Sequence, residues 1–161
     1  QTCALPILVL MAGVAAAVAD TDGQVKADGA SLAGHLRRAW MAVDRGHANR
    51  EAAVVIVAGA DGGWRAVPAF DDAGFQSIRL ELPPGTVAIL HTHPNHTGGE
   101  PSIADRRNSD ALGVVNYTLT DRGVWRYDPR KRRTERVMYK LSWLEAANWE
   151  KLLAGEGGAW R

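Results

Sequence analysis

Apolar residues recur near a helical period at Leu32, Leu36, Ala39 (or Trp40) and Val43. That spacing predicts a helix over residues 31–44, capped by Ser31 and ended by Arg45-Gly46-His47. The pattern then changes. Glu51 opens Ala52-Ala53-Val54-Val55-Ile56-Val57-Ala58, an unbroken apolar and mostly β-branched run that reads as a buried strand. Ala60-Asp61-Gly62-Gly63 is a turn, and residues 64–70 return as the second strand of a hairpin. Residues 75–82 alternate loosely and predict another strand, broken by Pro83-Pro84-Gly85. Residues 86–90 are a further apolar strand running directly into His91.

Residues 94–101 (PNHTGGEP) form a loop by composition. A helix over residues 102–112 follows, then strands at 114–119 and 123–127 around the turn Thr120-Asp121-Arg122-Gly123. The last strand is expected at residues 136–141. Ser142-Trp143-Leu144-Glu145 is a capping box that opens a helix to Ala154, stopped by Gly155. No internal repeat is visible. The order of elements predicts a mixed α/β (α+β) fold, one mixed sheet with helices on it. The domain would span residues 30–154, with a loose tail at 155–161.

Composition narrows the class. A chain of 161 residues fits one domain. Its 46% apolar and 23% charged residues are ordinary for a globular protein. The net charge of +1 argues against an overall nucleic-acid binder. One cysteine, Cys3, excludes a disulfide scaffold, and a domain of this size buries enough core without one. Residues 1–19 read as a partial secretory signal peptide. An apolar stretch ends in Ala17-Val18-Ala19 and is followed by Asp20-Thr21-Asp22. The stretch is too short and too alanine-rich for a membrane span. The expected location is therefore periplasmic or secreted, with no stable membrane span after cleavage and a linker at residues 20–29. Gln1-Thr2-Cys3-Ala4-Leu5-Pro6-Ile7 resembles the translation of a sequencing-adapter oligonucleotide, which would place the native sequence from about Leu8 and make Cys3 foreign.

The chemistry concentrates in one segment. Three of the five histidines fall within His91-Thr92-His93-Pro94-Asn95-His96. Side chains two apart on a strand share a face, so His91 and His93 can aim at one point. Two such imidazoles are half of a zinc site. Downstream, Ser102 and Asp105 are spaced to share the first turn of a helix. The carboxylate would supply a third ligand and leave a fourth position for water. Ser102-Ile103-Ala104-Asp105 also reads as a plain capping box.

Together, His91-Thr92-His93-Pro94, seven residues, and Ser102-Ile103-Ala104-Asp105 resemble the JAB/JAMM (MPN+) metallopeptidase signature. The likeness covers about residues 30–141 and is nearest to bacterial JAB-like domains from secreted or toxin-type proteins. It implies a curved, cytidine-deaminase-like mixed sheet flanked by helices. It further implies zinc held by His91, His93 and Asp105, and Ser102 as donor to a developing oxyanion. A glutamate at the head of an early strand would be the general base, and Glu51 stands at that position, although Ala52-Ala53 replace the glycine many members carry soon after it. The implied substrate is a peptide or isopeptide in a peptide or protein partner. His96 and Glu100, in the loop, are candidate substrate contacts.

Other readings compete. A metallo-β-lactamase-type His-x-His-x-Asp-His pattern fails because Asn95 replaces the aspartate and no histidine follows His96. A cupin lacks its later histidine for the same reason. A catalytically silent MPN-type scaffold would leave the motif positions unfilled, and here they are filled. Residues 121–140 carry eight Lys/Arg against three Asp/Glu, centred on Arg130-Lys131-Arg132-Arg133. This run is expected at a hairpin tip, where it is either a solvated turn or a contact for an acidic partner. The six tryptophans are scattered, so they read as core rather than as a stacking platform for bases.

Overall fold

A computed structural model of the chain describes residues 8–10, 29–60, 62–69, 73–74 and 77–156. Most of the expected leader and linker, and residues 157–161 of the expected tail, lie outside the described residues. The elements in order are β1 (Leu8–Leu10), α1 (Gly29–Ala42), β2 (Ala53–Ala58), β3 (Trp64–Ala69), β4 (Ala73–Gly74), β5 (Ser77–Glu81) and β6 (Thr86–Thr92). Then come α2 (Ile103–Leu112), β7 (Val115–Thr120), β8 (Gly123–Asp128), β9 (Arg133–Tyr139) and α3 (Ala146–Glu156). The fold is mixed α+β. The main sheet has six strands in the order β3-β2-β6-β7-β8-β9, and β1-β5-β4 form a small second sheet. In the main sheet only β6 and β7 run parallel. A parallel pair needs a crossover, and α2 with its preceding loop supplies it.

The unbroken apolar run in β2 is buried on both faces, as its composition predicts. Val54 and Ile56 pack with Leu32, Leu36 and Val43 from α1, with Trp149 and Leu153 from α3, and with Leu90, Tyr117 and Leu119. Ala53, Val55 and Val57 face the other way, with Leu80, Ile89 and Val114. The helical period read from α1 therefore marks its buried stripe. The three most buried indole groups are tied together. Trp40 meets Trp143 edge-on at 5.4 Å. Trp143 Nε1 donates to the Thr120 carbonyl (3.0 Å), and Trp149 Nε1 to the Trp143 carbonyl (2.5 Å). Among the described residues no helix is long and apolar enough to cross a membrane.

Several boundaries differ from the sequence expectation. Helix α1 starts at Gly29, so Ser31 lies inside it rather than capping it. Of the strand expected at 75–82, Ser77–Glu81 form β5, and the two-residue β4 lies before the expected start. β9 begins at Arg133 because Asp128 pairs with it, so cross-strand bonding carries the ladder through a charged stretch. Ser142 does not cap α3. Residues Lys140–Leu144 form a 3-10 turn, and α3 starts at Ala146 and runs through Gly155 to Glu156.

Candidate functional site

Alternation along two paired strands assembles the site. Ala53 of β2 is the partner of His91 on β6. Both sit on the face that carries Val55 and Ile89. Glu51, two residues before Ala53, and His93, two residues after His91, extend the same face past the end of the apolar packing. Thr92, on the opposite face, fixes this junction. Its Oγ1 accepts from the Ala52 N–H (2.9 Å), and its own N–H donates to the Ala52 carbonyl (2.9 Å). The backbone beside Glu51 is thereby stitched to the backbone between the histidines.

The loop at residues 94–101 then turns the chain into α2. Ser102 is the N-cap of α2, and the capping box is complete. The Asp105 N–H donates to Ser102 Oγ (3.1 Å), and Asp105 Oδ2 accepts from the Ser102 N–H (2.7 Å). The cap does not turn this carboxylate away from the histidines. The same Oδ2 lies 3.6 Å from His91 Nε2 and 3.4 Å from His93 Nε2. The two Nε2 atoms are 2.9 Å apart. Three atoms about 2.0–2.1 Å from a tetrahedral metal lie about 3.3–3.4 Å from one another. The two edges to Asp105 match that spacing within about 0.3 Å, and the edge between the histidines is shorter by about 0.4–0.5 Å.

Glu51 completes the cluster. A carboxylate oxygen of Glu51 and one nitrogen each of His91 and His93 all lie within 4.8 Å of one another, close enough to bind a metal ion. Glu51, His91, His93 and Asp105 are each 2% exposed or less. Four ionisable groups buried together are costly unless they pair or hold a cation. Their protonation shows the tension. Burial raises the Glu51 pKa, and although the His91 and His93 charges oppose it, the net shift is upward. Burial also works against ionised Asp105, yet the charge and contacts of His91 and His93 outweigh it and hold the carboxyl well below its usual range. For His93, burial lowers the pKa, but contact with Asp105, the Glu51 charge and the Gly98 carbonyl raise it overall.

Supporting groups that the sequence reading passed over hold the loop. His93 Nδ1 pairs with the Gly98 carbonyl at 3.2 Å, which leaves Nε2 free to face the cluster. The Asn95 N–H donates to the Gly46 carbonyl (2.8 Å), and Asn95 Nδ2 to the Arg45 carbonyl (2.9 Å). Arg122 Nη2 bonds the carbonyls of Asn95 (2.9 Å) and Thr97 (2.6 Å). Gly46 has φ +79°, and a Cβ there would meet Asn95 Oδ1 at 2.5 Å, so this turn requires glycine. The sequence offered one faint signal for this support, the Gly98-Gly99 pair in the loop.

The structure thus brings Glu51, His91, His93 and Asp105 together, with Ser102 joined to them through the cap. His96 and Glu100 are exposed on the loop, and among the described residues no hydrogen bond or ion pair ties either to the cluster. Arg130-Lys131-Arg132-Arg133 lies at the β8–β9 turn and is exposed, with Asp128 accepting from the Arg130 N–H (3.0 Å). That turn is at the end of β8 away from the histidines, since Gly123 rather than Asp128 pairs with Thr120. The donor set of the cluster is two imidazole nitrogens and carboxylate oxygens, a combination suited to zinc and to other borderline divalent ions. No protein-family model, curated protein or solved structure matches this chain.

Proposed function

We propose that this protein is a zinc-dependent hydrolase of peptide or isopeptide bonds, with the JAB/JAMM type of site on an MPN-like fold. The observation that carries the reading is the buried triangle of His91 Nε2, His93 Nε2 and Asp105 Oδ2, with the Glu51 carboxylate beside it. His91, His93 and Asp105 would hold the metal. Zinc, when bound, supplies Lewis acidity that brings the pKa of water from about 15.7 to near 7.

The other roles follow from how each side chain is already engaged. The Glu51 carboxyl has a raised pKa because it is buried, which suits a group that takes a proton and returns it. Its proton would come from the attacking water and go to the leaving amine. Ser102 Oγ uses a lone pair to accept from the Asp105 N–H, so its own hydrogen is not consumed by the cap. That hydrogen is available to the oxygen that becomes negative as the amide carbon turns tetrahedral. Asp105 acts through both functions at once: by holding the first turn of α2 it fixes Ser102 next to the metal ligands.

The test is Glu51→Gln. The variant is expected to bind zinc as wild type does and to hydrolyse a peptide library at least about 100-fold more slowly, the usual contribution of a positioned general base. Unchanged hydrolysis in a zinc-loaded Glu51→Gln protein would remove Glu51 from the reaction.

A further inference from the structure

Among the described residues, three buried polar atoms close to the cluster have no hydrogen-bond partner: His91 Nδ1, Ser109 Oγ and Asn116 Oδ1. Each belongs to a residue no more than 1% exposed. A buried polar atom without a partner is costly, so three in one region need a common explanation.

The fold places them together. On the parallel pair β6–β7, Ile89 partners Asn116 and His91 partners Thr118. Asn116 is therefore the diagonal neighbour of His91 on the same sheet face. Helix α2 packs against β7 on that face. Ser109 lies four residues beyond Asp105, one turn along the same side of α2, and Asp105 is the residue that contacts His91 Nε2. The other unpartnered hydroxyl, that of Tyr117, belongs to the opposite core against Trp149 and is not part of this group.

We propose that Ser109 and Asn116 are positioning residues for His91, gripping its Nδ1–H through one bridging water. The chemistry of the three atoms is complementary. With Nε2 directed at the metal position, the His91 proton sits on Nδ1, which is then a donor. The water accepts it. It returns one hydrogen to Asn116 Oδ1, an acceptor only, and one to Ser109 Oγ, which can accept. Three hydrogen bonds are the usual complement of a buried water, and all three protein atoms become satisfied. His93 achieves the same end directly, through the Gly98 carbonyl. Partners of this kind fix the tautomer and the ring orientation of a metal-binding histidine.

The proposal rests on the metal reading above, and the experiment separates the two. Zinc dissociation constants are measured by chelator competition for wild type, Ser109→Ala, Asn116→Val and Ser109→Thr, with thermal unfolding of each metal-free protein. Ser109→Ala and Asn116→Val are expected to weaken zinc binding about 10–100-fold without lowering the metal-free unfolding midpoint, and Ser109→Thr to restore near-wild-type affinity. Wild-type affinity in both disrupting variants overturns the role of Ser109 and Asn116 while leaving the metal site intact. A wild-type protein that binds no zinc overturns the metal reading itself. If a variant fails to fold, zinc-loaded wild type decides. Its His91 Nδ1–H should give a slowly exchanging, downfield proton resonance, and a rapidly exchanging one contradicts the proposal.

Discussion

Gly99→Ala adds one methyl group at a residue outside the cluster of Glu51, His91, His93 and Asp105, and is expected to weaken metal binding. Gly99 packs close against the Trp125 indole, and a Cβ there would stand 2.3 Å from two carbons of that ring. Carbon atoms settle about 3.5–4.0 Å apart, so the methyl requires about 1.2–1.7 Å of movement. Neither side yields readily. The Gly99 carbonyl accepts from Thr118 Oγ1 at 2.5 Å, which ties the loop to β7. Trp125 is on an interior strand, with the Arg136 guanidinium 4.8 Å from its ring centroid. Overpacking of this kind costs about 1–3 kcal/mol, which for a domain of this length lowers the unfolding midpoint by about 3–10 °C. The displacement reaches the site through the preceding residue, since the Gly98 carbonyl pairs with His93 Nδ1. Losing such a partner lowers metal affinity about 10–100-fold. Gly98→Ala is the control, because a Cβ there meets nothing within 4 Å. The assay is chelator competition for zinc, with calorimetry of the metal-free proteins. Wild-type midpoint and zinc affinity in Gly99→Ala would refute the linkage from Trp125 through the loop to His93.

Ser102→Ala removes the acceptor for the Asp105 N–H. It should cost about 1 kcal/mol in urea unfolding and slow hydrolysis about 100–1,000-fold while zinc content stays at wild-type level. Leu36→Ala opens a cavity in the α1 face of the core, where Leu36 is 1% exposed. Chemical denaturation should show a loss of about 2–5 kcal/mol, with zinc stoichiometry unchanged in the folded protein.

The local parts of this molecule are legible in its sequence, and the long-range parts are not. The β-branched run in β2 and the spacing of Leu32, Leu36 and Val43 report burial directly, because period and burial share one cause. The alternation of His91 and His93 works the same way. Ser142 misleads because tertiary contacts decide that segment. The Trp143 indole reaches back to Thr120 and its carbonyl receives Trp149, which draws residues 140–144 into a 3-10 turn. In the sequence Ser102 and Asp105 read as a plain cap and, joined to the histidine motif, as part of a metal site; in the fold the Asp105 oxygen that closes the cap also lies beside both histidines. Glu51 stood out only through the family resemblance, since nothing near it in sequence says that Ala53 pairs with His91. Thr92 and Asn95 lie inside the histidine segment and Gly98 in a glycine pair, but nothing in the sequence says which backbone groups they bond. Each acts through hydrogen bonds that involve a backbone atom, and such partners leave no pattern along a chain.

The most direct measurement is anomalous diffraction at the zinc edge from crystals of zinc-loaded wild-type protein. One peak per chain is expected about 2.0–2.2 Å from His91 Nε2, His93 Nε2 and an Asp105 carboxylate oxygen, with Glu51 near the metal but outside its ligands. No peak among these residues, or a peak held by Glu51 and the two histidines without Asp105, would contradict the account.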